Sequence, residues 1–287
     1  MGLERFVKEK EARERIDAEF EMPNIICSQP IQVPLTIVSE AAIIGTAFDY
    51  LLRFFIEKNN PIQKIGKNRW CADISVAIIK RNFGNYYEMA SDILSKAKQE
   101  YAKYLKTSFI RYGLLYSAVE LARLDYTNRV GDIHPDLQTD NTPKTTVDEL
   151  GALLTIVDKK LFTINEYCIL NPTFGEASAF VGGADGDLII DETLIDIKTI
   201  KSPKPEKTHW RQLIGYYLLS LIGGVDYSPH NIKIKKLAIY FSRYGELLTF
   251  EPTLKNNNLP QVLKWFEEAI KQHSGYNNNP EFELIEE

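Results

Sequence analysis

Only three cysteines occur in the 287 residues, Cys27, Cys71 and Cys168, and none forms a CxxC pair. That spacing excludes a disulfide framework or a cysteine-ligated zinc site, and it suits a reducing compartment. The four histidines, His134, His209, His230 and His273, also lack metal-ligand spacing, so any metal is expected on oxygen ligands. Long apolar runs are missing too: none reaches the length that spans a bilayer. The opening stretch MGLERFVKEKEARERIDAEF has no apolar core of a secretory signal, and Phe6 stands where a myristoylation signal needs Ser or Thr. A cytoplasmic protein without a membrane partner is expected. Positive charge is not in excess either. Lys and Arg number 34 against 39 Asp and Glu, a formal net charge of −5, which does not advertise nucleic-acid binding. No internal repeat is present. With 44% hydrophobic and 25% charged residues, the composition is that of an ordinary globular chain, long enough for one elaborated domain or two small ones.

What is present falls into two halves. The first is helical by apolar spacing: EAAIIGTAFDYLLRFFIEKN with Ser39 as its cap, CADISVAIIKR, NYYEMASDILSKAKQEYAKYLK and FIRYGLLYSAVELARLDYTN. The polar, proline-containing loop GDIHPDLQTDNTP ends that run. TTVDELGALLTIVDKKLF is a further helix, with Thr145 or Thr146 as cap and Glu149 in its first turn. Strand chemistry follows in EYCILNPTF, AFVGGADGDLII and TLIDIKTI, the last two separated by an Asp191–Glu192 turn facing solvent. THWRQLIGYYLLSLIGG returns to helix, IKIKKLAIYFSRYGELLTFEP reads as two strands bent around Gly245, and LPQVLKWFEEAIKQH closes as an amphipathic helix. The expectation is an α/β fold, a mixed sheet flanked by helices with a helical N-terminal half. Residues 1–145 would form a helical region controlling access, 146–275 the core, and 276–287 a loose tail.

One stretch, VGGADGDLIIDETLIDIKTI, holds more charge than two core strands ordinarily carry. If it forms a hairpin, Asp187 and Asp196 lie on neighbouring strands, and Lys198 shares the face of Asp196 by the period of two. Two acids and a lysine so placed suit a hard divalent cation and a water nucleophile. Mg²⁺ prefers carboxylate oxygens and retained waters, the Ile197 carbonyl offers a further oxygen, and Lys198 would orient the water or stabilise phosphate charge. A charged sheet edge is the competing reading.

These residues, GGADGDLIIDETLIDIKT followed by RQLIGYYLLS, resemble the core of the PD-(D/E)xK nuclease superfamily, RecB-like branch. The resemblance covers roughly residues 165–250 and implies a restriction-endonuclease-like core. It implies Asp187 and Asp196 as ligands of Mg²⁺ or Mn²⁺, Lys198 as the catalytic lysine, and Gln212 and Tyr216, one helical turn apart, as supports. It also implies DNA as partner, with RNA not excluded. Asp185 rivals Asp187 for the first acid. The chain departs from the branch in having no His on an early helix; Asp49 holds the comparable place, as an extra ligand or a helix-surface acid. Glu149 and Glu176 are candidates for the further acid that many members carry. Lys201, Lys204, Lys207 and Arg211 recur every three or four residues beyond the catalytic strand and are expected to contact phosphate or to be solvated charge, and Arg243, at a strand end, to contact phosphate or to cap the sheet edge. Trp210 and Tyr217 read as base-stacking or core aromatics. A binding or assembly module that keeps the fold without catalysis is the alternative function.

Overall fold

The computed structural model describes residues 2–61, 64–67, 69–138, 142–228 and 232–273. Six strands lie side by side in chain order: β1 (Lys64–Lys67), β2 (Tyr167–Leu170), β3 (Leu188–Ile190), β4 (Thr193–Lys198), β5 (Lys236–Phe241) and β6 (Glu246–Phe250). Strands β2, β3 and β4 form an antiparallel meander, whereas β1 joins β2 and β5 joins β4 in parallel. Strand β6 returns antiparallel to β5. The helices are α1 (Leu3–Phe6), α2 (Lys10–Glu19), α3 (Ala41–Asn59), α4 (Cys71–Asn82), α5 (Tyr87–Thr107), α6 (Tyr112–Val130), α7 (Lys144–Thr155), α8 (Gly175–Phe180), α9 (Lys207–Gly223) and α10 (Leu259–His273). No described helix is long and apolar enough to cross a membrane.

Alternation along the strands sorts their side chains into two cores. Cys168, Leu170, Leu188, Ile190, Ile195, Ile197, Ala238 and Tyr240 pack with α3 to α7 on one face. Tyr167, Ile169, Ile189, Leu194, Leu237, Ile239 and Phe241 pack with α1, α2, α8, α9 and α10 on the other. The result is three layers, helices on both faces of a mixed sheet. Because both faces are covered, β5 is apolar at consecutive positions from Leu237 to Phe241, as a doubly buried strand must be. The β4–α9–β5 crossover expected from the sequence is present, and so is the turn at Gly245, whose φ is +64°.

Several expectations are corrected. The first 145 residues are not helical throughout, since Lys64–Lys67 form β1 in the common sheet, and the 145/146 boundary falls inside α7. Ser39 does not cap α3; Val38–Glu40 form a 3-10 turn that runs into it. Helix α7 begins at Lys144 behind Pro143, so neither Thr145 nor Thr146 caps it, and Glu149 lies in its buried middle. The strand expected from Ala179 does not start until Leu188. Gly175–Phe180 is helix α8, where Ser178 Oγ accepts from the Phe174 amide and donates to the Ala184 carbonyl, each at 2.8 Å. These bonds give the segment a local alternative to strand pairing. Gly182 and Gly183, at φ +75° and +103°, then turn the chain back toward β3. Asp191 is only partly exposed. Its carboxylate accepts the backbone amides of Glu166 at 2.8 Å and Tyr167 at 3.2 Å, tying the β3–β4 turn to the start of β2. Burial opposes its charge, but these donors, with the Asn165 side chain and amide, outweigh burial and hold its pKa below the usual value. Glu192 does face solvent, beside Lys235 at 2.7 Å. The tail expected at 276–287 and the loop residues 139–141 lie outside the described residues, as does His230.

Helices α8 and α9 meet backbone to backbone. A Cβ on Gly223 would stand 2.0 Å from the Phe174 carbonyl oxygen. Gly223→Ala is therefore expected to cost about 1–3 kcal/mol by forcing the two helices apart, measured as a lowered urea midpoint.

Candidate active site

The antiparallel pairing of β3 with β4 sets Leu188 opposite Ile195, so Asp187, one residue before β3, falls beside the Asp196–Ile197 peptide. The Ile197 amide donates to Asp187 Oδ2 at 2.6 Å. Asp196 shares the parity of Leu194 and faces α9, as does Lys198. Lys198 Nζ donates to Asp196 Oδ1 at 3.0 Å and to Gln212 Oε1 at 3.3 Å, and Gln212 Nε2 donates to Tyr216 OH at 3.0 Å. Gln212 and Tyr216 reach this point because residues four apart share a face of α9. All five side chains, with Ile197, border one cavity of about 1090 Å³. Its other walls are α1, the turn after α8, and the inner faces of α3, α4 and α6.

The electrostatics are those of charges held out of water. Burial pushes Asp196 up to about 7 against the pull of Lys198, and the neighbouring Asp187 adds to the rise. Burial raises Asp187 as well, again against Lys198. Burial disfavours the Lys198 ammonium, yet Asp196 and Asp187 overcome it and keep the pKa above that of an ordinary lysine. Asp196 Oδ2 lies 2.8 Å from Lys198 Nζ but out of hydrogen-bond alignment, so this buried oxygen has an ion-pair contact and no hydrogen bond. A buried carboxylate oxygen without a hydrogen bond, next to a second carboxylate, is what a hard divalent cation would satisfy. Among the described residues no three His, Cys, Asp or Glu side chains gather as a metal-holding group. Two carboxylates and the Ile197 carbonyl fit Mg²⁺, which draws on waters and phosphate oxygens for the rest of its shell.

The remaining sequence candidates separate by place. Asp185 is exposed at the cavity rim, whereas Asp187 is the acid bonded into β4. Asp49 borders the cavity; its Oδ2 is bound to Arg53 Nη2 at 2.5 Å, and its buried Oδ1, like Oδ2 of Asp196, has no hydrogen bond. Glu176 is exposed on α8 outside the cavity lining. Glu149 is buried in ion-pair contact with Arg243 at 2.7 Å, and it accepts from Thr36. Arg243 is therefore no phosphate contact. Its guanidinium is fully buried, donating to the Val33 carbonyl at 3.1 Å, because residues 32–36 cover the β5–β6 turn. Arg211 is also buried, held by Asp17 of α2 through two bonds of 2.7 and 2.6 Å. Lys201, Lys204 and Lys207 are exposed but outside the cavity lining. Trp210 is core, 1% exposed, and Tyr217 packs at the edge of the same core.

Sequence reasoning missed three groups. Glu4 of α1 lines the cavity, and Lys8, burial, then Lys198 and His209 govern its charge. No local signal links residue 4 to residue 198. His209 borders the cavity, and burial with the nearby Lys198 lowers its pKa to about 4. The third group is Asp125 and Arg129 on α6, spaced like Asp49 and Arg53 on α3, and that i,i+4 repetition was visible in the sequence. Burial pushes Asp125 up to about 7 although Arg129 and the Tyr50 hydroxyl, 3.0 Å away, favour its charge. With a folded pKa above the unfolded one, Asp125 binds a proton in the folded state between about pH 4 and 7. Its contribution to stability must fall as pH rises through that window. Asp125→Asn is expected to flatten the decline between pH 5 and 6.5 by about 1 kcal/mol per pH unit, read from urea melts.

No family model, curated protein or solved structure matches the chain in comparisons with each.

Proposed function

We infer that the protein is a Mg²⁺- or Mn²⁺-dependent nuclease that hydrolyses DNA phosphodiester bonds, built on a restriction-endonuclease-like core. The observation that carries the reading is the convergence of Asp187, Asp196 and Lys198, from two antiparallel strands, with Gln212 and Tyr216 of one helix at a large cavity. The order α7–β2–α8–β3–β4–α9–β5, in which the short α8 stands between the first two of these strands, supports such a core.

Asp187, Asp196 and the Ile197 carbonyl would hold the ion. When bound, it supplies positive charge against the phosphate and lowers the pKa of water on it. Lys198 keeps its proton, so it acts as a hydrogen-bond donor that holds the incoming water or a phosphate oxygen. Gln212 fixes the ammonium from the side opposite the sheet, and Tyr216 fixes Gln212. Gln212→Ala is expected to lower kcat about 10-fold with KM little changed, since it removes orientation rather than a substrate contact. The direct test is incubation with linear DNA and with RNA in Mg²⁺, Mn²⁺ or EDTA. Cleavage of DNA with metal and none in EDTA supports the reading; no cleavage in any arm removes it.

A further inference from the structure

The wall facing the proposed catalytic strands carries a guanidinium held by two hydrogen bonds and an aromatic ring. Arg53 lies on α3, and its Nη2 donates to Asp49 Oδ2 at 2.5 Å while Nη1 donates to Asn171 Oδ1 at 2.8 Å. Its guanidinium carbon stands 4.9 Å from the centre of the Tyr50 ring. Tyr50 is itself fixed, donating to Asp125 at 3.0 Å and accepting from the Ala72 amide at 3.1 Å. Asn171 adopts a left-handed conformation at φ +58°, and its backbone amide donates to the Asp187 carbonyl at 3.0 Å. The residue that grips Arg53 thus also grips the strand of the first proposed catalytic acid, in a conformation that asparagine adopts more readily than most residues. Asn171 sets the position of Arg53 relative to Asp187.

Arg53 is not tied up as an ordinary ion pair. Asp49 and Asn171 engage two of the five N–H donors that a guanidinium carries, and the side chain, 12% exposed, borders the cavity. Arg129, exposed on α6, borders the same cavity one helix away. Among the other cations there, Lys8 pairs with Glu4 at 2.5 Å, Lys198 is held by Asp196 on the opposite wall, and Arg5 borders the cavity from α1. A planar fork held by three partners at the edge of an acid-lined cavity matches a tetrahedral oxyanion ester.

We propose that Arg53 and Arg129 form a phosphate-holding bank on the helical wall, binding the backbone of the strand whose bond lies at Asp187, Asp196 and Lys198. Asp49 is then a positioning residue for Arg53 and not a metal ligand. This rests on the nuclease reading, and the experiment separates the two.

Binding of a fluorescein-labelled single-stranded oligodeoxynucleotide is measured at several salt concentrations, in Mn²⁺, with every variant carrying Lys198→Ala so that cleavage is slowed about 100-fold or more. Arg53→Ala and, independently, the exposed Arg129→Ala are each expected to weaken binding about 10-fold at low salt and to make the log–log salt slope shallower by about 0.7, one lost phosphate contact on a single strand. Arg53→Lys should keep the slope but not the full affinity, since a lysine cannot bridge Asp49 and Asn171. Asp49→Asn should weaken oligonucleotide binding severalfold and leave Mn²⁺ affinity, read by calorimetry without nucleic acid, within about twofold. Unchanged affinity and slope in Arg129→Ala and in folded Arg53→Ala would overturn the bank while the nuclease reading stands. A 10-fold loss of Mn²⁺ affinity in Asp49→Asn would overturn its positioning role. Absence of oligonucleotide binding together with absence of cleavage by the unmutated protein would overturn both.

Discussion

Lys198→Ala is expected to lower kcat for DNA cleavage by about 10²–10³-fold or more while the protein stays folded and still binds Mn²⁺. The expectation follows from where the ammonium sits. It is largely buried, held by Asp196 and Gln212, and kept charged by two carboxylates that outweigh its burial. On the proposed reading its removal would take away a preorganised donor from the place where phosphate charge develops, and water entering the gap would not restore a fixed cation. Single-turnover kinetics at saturating substrate read kcat, and circular dichroism in Mn²⁺ verifies the fold. A variant retaining full activity with metal present would show that Lys198 has no part in the reaction. Lys198→Arg would be a weaker test, because the positive charge remains, so alanine is the informative change.

The second large effect concerns stability. Glu149→Ala should cost about 3–5 kcal/mol, because it leaves the Arg243 guanidinium fully buried without its counter-charge. The pair is out of hydrogen-bond alignment at Glu149 Oε1 and Arg243 Nη2, and its value lies in mutual neutralisation across the β5–β6 turn, α7 and the 32–36 segment. Replacing both partners by apolar residues of similar volume, Glu149→Leu with Arg243→Met, is expected to cost much less than either loss alone. Urea melts of the single and double variants test this, and equal losses in all three would show that the pair acts through something other than charge.

The strands and helices that carry their own period were legible in the sequence. TLIDIKTI became β4, THWRQLIGYYLLSLIGG became α9, and the period of two placed Asp196 and Lys198 together on the face that meets Gln212. Contacts that depend on distant segments were not legible. Arg243 and Arg211 read as surface cations because each looks exposed within its own element, yet residues 32–36 cover one and Asp17 holds the other. Glu149 looked like a helix-start charge because TTVDE imitates a cap, but the cap position is Pro143, two residues before Thr145, and Glu149 is turned inward. Helix α8 was hidden by the β-like run AFVGG; Ser178, just before it, supplies hydrogen bonds that a strand would not need. Glu4 gave no signal at all, since Leu3 packs α1 against Gly215 of α9 only in the folded chain.

The measurement that bears most directly on the central claim compares the unmutated protein with Asp196→Asn, in Mn²⁺ binding by calorimetry and in cleavage of linear DNA. Asn keeps the size of Asp196 but removes the charge from the buried carboxylate beside Lys198. The account predicts that the unmutated protein binds Mn²⁺ and cleaves only with metal, and that Asp196→Asn loses at least about 10-fold in metal affinity together with its activity. Undiminished metal-dependent cleavage by Asp196→Asn, or no Mn²⁺ binding by the unmutated protein, would contradict it.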